Sequence, residues 1–140
     1  MLDRTTEWGK HANERLHSDL IGWLTTVGVN GRPYTVPVWF LWEEGETILI
    51  FSQPNKQKVK NLQHNPRITL ALDESKKGED VVIVEGTAEL LPEPAIELMT
   101  SVYIDKYKDG LKDLGWTAEA MAANFSLSIR ITPTKIRSWG

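Results

Sequence analysis

Lys56, Lys58 and Lys60 stand together in the stretch PNKQKVKNL, residues 54–62, with no acid beside them. The acid-free window is wider still. From Thr47 to Leu72 there is no Asp or Glu, and Lys56, Lys58, Lys60 and Arg67 give that window a charge of +4. The whole chain carries -3, so the remainder, -3 less +4, carries -7. A basic island on an acidic protein points to a local anion site, whereas a polyanion such as DNA calls for a broader basic face. Charge alone is equally compatible with a solvated helix face. The context adds chemistry. The apolar run TILIFS ends at Phe51-Ser52, a tight loop with Pro54 follows, and a short helix is predicted from near Asn55. Backbone N–H groups at a helix start, a serine hydroxyl and nearby lysines together make a phosphate cradle.

Protein-borne catalysis finds little support. GxSxG, GxxxxGK[ST] and GxGxxG are all absent. The chain has no cysteine, and His11, His17 and His64 are scattered, so no metal site is expected. The acids at Glu43-Glu44 and Glu79-Asp80 read as solvated turns. With no nucleophile and no acid–base pair, no catalytic side chain is assigned, and a cofactor would have to carry any reaction. The run VPVWFLW at 36–42 offers a surface for one. Pro37 lacks an N–H and leaves a ladder position free, and aromatic side chains flank it, so a flat ring could lie there with a phosphate at the lysines.

These residues need a scaffold. Thr5 to His17 has threonine capping chemistry and reads as a helix. LIGWLTTVGV at 20–29 and YTVPVWFLW at 34–42 read as strands joined by an Asn-Gly hairpin turn at 30–33, and TILIFS at 47–52 completes an antiparallel meander. The lysine helix ends near Asn65-Pro66, since the residue before proline resists helical geometry. RITLALD at 67–73 alternates, SKKGED at 75–80 is a turn, and VVIVEGTAEL at 81–90 is a long strand whose Gly86 marks a bulge or close approach. Residues 92–108 are expected to form one helix with Ile96, Met99, Tyr103 and Tyr107 on a shared face, and Thr117 to Ala123 a second. Strands at 126–132 and 135–140, with Pro133 between them, close the chain.

Such a pattern is mainly β with accessory helices, spaced too closely for βαβ units. A small Greek-key antiparallel barrel buries the sheet and removes its edges. At 140 residues, 41% hydrophobic and 25% charged, the chain is expected to be one domain, residues 1–140. The start MLDRTTEWGK lacks a signal-peptide core, and 36–42 is too short to span a bilayer, so a soluble, cytoplasmic protein with no membrane partner is expected. Six tryptophans suit a flat aromatic ligand, although any single one is more simply core or interface packing. The confined lysines and net charge argue against a nucleic-acid partner.

Four stretches, WLTTVGVNGRPYTVPVWFLW, ILIFSQPNKQKVKNLQHNPRITLALD, VVIVEGTAEL and IRITPTKIRSW, resemble in order the pyridoxamine-5′-phosphate-oxidase-like flavin and deazaflavin oxidoreductases. The resemblance implies an FMN-binding type of split β-barrel and, within it, the F-420-dependent branch. It implies a homodimer with cofactor sites at the subunit interface and a small-molecule substrate. By position, Val36, Pro37, Val38, Trp39, Phe40 and Leu41 match the strand lining the cofactor ring, and Phe51 and Ser52 the pair touching the ribityl-phosphate. Lys58 falls on the family's phosphate-binding lysine. Lys56 and Asn61 match secondary contacts, and Trp139 lies where C-terminal residues of a partner subunit approach. Gln57 stands where flavin-binding oxidases often have arginine, which favours F-420 over the alternative, FMN. The sequence also lacks the C-terminal extension of true pyridoxamine phosphate oxidases, so that activity is not expected. An FMN-dependent reductase or oxidase, and a non-catalytic cofactor binder, remain alternatives of the same fold.

Overall fold

A computed structural model describes residues 2–75 and 77–139. Met1, Lys76 and Gly140 lie outside them, so the expected turn at 75–80 and the strand at 135–140 are each described except for one residue. Seven strands of the described residues form one antiparallel sheet: β1 (Gly22–Val27), β2 (Pro33–Val38), β3 (Leu41–Trp42), β4 (Ile48–Ser52), β5 (Arg67–Leu72), β6 (Val81–Leu90) and β7 (Leu127–Trp139). Their order is β2-β1-β5-β6-β7-β4-β3. The two edge strands, β2 and β3, are consecutive in the chain and separated only by Trp39 and Phe40. A two-residue link between opposite edges requires the sheet to curl until they approach, which is a barrel left open along one seam.

The expected meander is thereby corrected. The run 34–42 is not one strand: β2 pairs with β1, and β3 pairs with β4. The β1–β2 connection is also not a two-residue Asn-Gly turn. Gly31 donates to the Gly28 carbonyl at 2.9 Å and carries φ +82, and Gly28 donates to Arg32, a type I turn with glycine in the left-handed position.

β4 is buried at every position, and its alternation divides the interior in two. Ile48 and Ile50 face the main core with Leu24, Phe40, Leu70, Val82, Val84, Ile129 and Ile131. Leu49 and Phe51 face a second cluster with Tyr103, Tyr107 and Ala122. β7 is continuous through Pro133. Gly86 pairs with Pro133 and Glu85 with Lys135, so Thr134 is the extra residue of a bulge. The proline, which has no N–H for the ladder, sits at that irregularity.

Among the described residues six helices accompany the sheet: α1 (Glu7–Ser18), α2 (Gln57–His64), α3 (Ala95–Leu98), α4 (Ser101–Lys106), α5 (Lys108–Leu114) and α6 (Ala118–Asn124). Thr6 caps α1 by accepting from the Gly9 N–H. α1 is tied down by a bidentate Arg15–Asp19 pair and by Arg15 and His11 on Asp80. The single helix expected at 92–108 is two short ones, α3 and α4, with α5 starting at its last residue. Thr100 and Tyr107 leave helical geometry, and Ile96 is exposed while Tyr103 and Tyr107 are buried. Among the described residues no helix is long and apolar enough to cross a membrane.

Candidate functional site

A cavity of about 480 Å³ opens where the seam of the barrel meets the helices. Its sheet side is Ile21, just before β1, with Pro37 and Val38 at the end of β2, Trp39 in the crossover and Phe51 on β4. Lys58 on α2 supplies the single charged side chain of the lining. Leu114, Trp116, Met121 and Phe125 of α5, α6 and their flanks form the opposite wall. Trp116 and Phe125 pack ring on ring at 5.9 Å. Trp39 stacks on Tyr107 with centroids 4.4 Å apart and planes 5° from parallel. Gly110 permits this approach: a Cβ there would lie 3.0 Å from the Trp39 ring.

The chain reaches Lys58 through a left-handed residue, Asn55 at φ +65, a conformation asparagine tolerates. α2 then starts at Gln57 with Lys56 as N-cap, no side-chain cap and no acid in its first turn. Among the described residues Lys58 makes no hydrogen bond or ion pair. Burial, and then the Lys56 charge, hold its ammonium below the ordinary lysine value. An unpartnered, half-buried cation beside an uncapped helix start is a ready anion site. The rest of the lining is apolar or aromatic, so the arrangement fits a planar group with an anionic end.

The residues singled out in the sequence divide. Pro37, Val38, Trp39, Phe51 and Lys58 share this cavity. Val36 turns to the main core, Phe40 is fully buried there, and Leu41 packs into the second cluster, as strand alternation requires. Ser52 is buried, and its hydroxyl donates to the Gln53 carbonyl at 2.8 Å. Lys56 is exposed. Gln57 and Asn61 lie elsewhere, in a shallow depression with Lys60 and His64. The Gln57 amide donates to Asn61, whose own amide donates to Thr26 at 2.9 Å in a buried link from α2 to β1. Trp139 is half exposed and donates to the Gly78 carbonyl at 3.1 Å. Sequence reasoning missed Ile21, Leu114, Trp116, Met121 and Phe125. The one signal available was the pair of aromatics bracketing the short helix at 117–123.

A family described as pyridoxamine 5′-phosphate oxidase matches residues 9–140. No curated protein matches the chain. Among solved structures, a conserved hypothetical protein of Mycobacterium tuberculosis is 25% identical with a TM-score of 0.74, over 96% of this chain and 84% of that one. An F-420 reductase is 24% identical with a TM-score of 0.71, over 89% and 94%. A FAD-binding protein of Mesorhizobium loti is 22% identical with a TM-score of 0.67, over 91% and 90%.

Proposed function

The chain belongs to the pyridoxamine 5′-phosphate oxidase family, and from that premise we propose that it is an oxidoreductase using the deazaflavin F-420 on a small organic substrate. The carrying observation is the cavity that brings Pro37, Val38, Trp39 and Phe51 to one unpartnered cation, Lys58. The split-barrel fold is shared with an F-420 reductase and with a FAD-binding protein, which keeps FMN as the alternative cofactor. Gln57 in the place of an arginine, with its amide already bonded to Asn61, favours F-420.

When bound, the deazaflavin supplies hydride transfer. The chain's own residues hold and shield it. Pro37 to Trp39 and Phe51 present a flat, dry surface for the ring, and Lys58 with the start of α2 neutralises the phosphate. Trp116, Met121 and Phe125 would exclude water from the other side of a bound ring. Lys58 is the one ionisable side chain of the lining, and this reading gives it to the phosphate, in keeping with chemistry carried by the ring.

A homodimer is part of the proposal. Trp23 and Trp139 are exposed on β1 and β7 and share the outer face of the sheet, the face a second copy would cover. The test is equilibrium dialysis of the purified protein against F-420 and FMN separately. Retention of F-420 in preference to FMN is expected. Preference for FMN would move the assignment to the flavin-dependent alternative, and retention of neither would refute a cofactor site.

A further inference from the structure

The β1–β2 ladder has Gly22 opposite Val38 as its last rung. Two positions further out in that register Leu20 and Phe40 stand opposite each other, yet they do not bond directly. The Tyr107 hydroxyl lies between them. It accepts from the Phe40 N–H at 2.8 Å and donates to the Leu20 carbonyl at 2.6 Å. The Phe40 carbonyl, 3.0 Å from the same oxygen, accepts from the Lys106 ammonium at 2.8 Å. The Leu20 N–H is taken by Glu74 at 2.9 Å. Ile21 and Trp39, one residue inward on either chain, both line the cavity, and Trp39 lies flat on the Tyr107 ring.

We propose that Tyr107 and Lys106 are positioning residues for this cavity: the phenol wedges Leu20 and Phe40 apart, the ammonium holds the Phe40 carbonyl, and together they set the separation of Ile21 and Trp39. The proposal rests on the ring-binding reading only for the ligand that probes it. The wedge sits where the chain leaves β2 for β3 at the far edge of the sheet, beside the open seam. Lys106 is an expensive way to hold a carbonyl. Its ammonium lies 4.0 Å from the Phe40 ring centroid and 5.3 Å from that of Tyr107. Burial pushes it down to about 8, against the pull of Asp19 at the end of α1 and Glu74 after β5. Asp19 is engaged by Arg15, and burial holds the Tyr107 phenol neutral. The charged ammonium grips the carbonyl more firmly than the neutral amine does.

The test compares wild type with Lys106→Met and Tyr107→Phe, which keep the apolar bulk. Amide hydrogen exchange at Phe40 and melting temperature are measured without ligand, then affinity for FMN and F-420 on both sides of pH 8. In Lys106→Met, Phe40 exchange is expected to speed up and ligand affinity to fall about tenfold or more, with melting temperature below pH 8 unchanged or raised. Wild-type affinity falls through pH 8, and that step is absent from Lys106→Met. Tyr107→Phe loses affinity but keeps the step. Wild-type exchange and affinity in Lys106→Met overturn the proposal. So does an affinity loss that tracks a lower melting temperature, which a packing role alone would give. If wild type binds neither ligand, the ring reading fails by itself, and Phe40 exchange in the ligand-free variants decides the proposal.

Discussion

Lys58 and Lys60 are two residues apart on one helix and meet opposite surroundings. Helical geometry turns them about 200° from each other, which is legible in sequence. That Lys58 alone would line a cavity is not, because the far wall comes from residues more than fifty positions away. Lys106 was still less legible: a lysine on a helical pattern reads as solvated, and only the tertiary fold buries it against Phe40. Its titration gives a prediction at this scale. Lys106 titrates at about 8 in the folded protein against an ordinary 10.5, so between those values the unfolded chain holds a proton that the folded chain has lost. Stability therefore rises with pH across that window. Urea unfolding of wild type and Lys106→Met over a pH series is expected to give a stability difference that is flat below pH 8. Above it the difference shifts in favour of wild type. A difference that is level throughout would contradict the burial of the charge.

At the scale of elements, local pattern identified β1 by its β-branched and aromatic content, β5 by alternation, α1 by its threonine cap and α2 by its helical spacing, and it also placed β6 and α6. It failed at the joints. Residues 34–42 are uniformly strand-like, and nothing local marks Trp39-Phe40 as the place where the chain changes edges; the Tyr107 hydroxyl does that. The helix at 92–108 broke at Met99 and Thr100, which leave helical geometry between α3 and α4, and ended at Tyr107, whose ring and hydroxyl meet Trp39 and Phe40. Gly86 was read correctly as a close approach: a Cβ there would lie 2.4 Å from the Thr132 carbonyl oxygen. Gly86→Ala should cost about 1–3 kcal/mol in denaturant unfolding, as overpacking against backbone does. Asn61 separates structure from binding. Asn61→Ala strands the buried Thr26 hydroxyl and should lower stability by about 1–3 kcal/mol. It should change F-420 affinity less than about threefold, as for a group outside the cavity. A large affinity loss at unchanged stability would return Asn61 to the cofactor site.

At the scale of the whole molecule, mainly-β content and strand spacing were enough to expect a small barrel, and the ordered resemblance named its type. The curled seven-stranded sheet bears this out. The long-range pairing of β4 with β7, which carries β3 to the far edge, was beyond local pattern. Sedimentation equilibrium is expected to give twice the chain mass of 15.9 kDa, and a monomer in the presence of cofactor would contradict the proposed dimer. The central claim is that one cavity holds a planar cofactor with its phosphate on Lys58. Titrating F-420 into wild type, Lys58→Ala and Lys60→Ala at one fixed ionic strength tests it most directly. A charge-assisted bond to phosphate is worth roughly 1.5–3 kcal/mol, so Lys58→Ala should raise Kd from about tenfold to more than a hundredfold. Lys60→Ala, an exposed and screened charge, should raise it less than about threefold. Equal losses from the two substitutions would mean a diffuse basic patch, and would contradict the account.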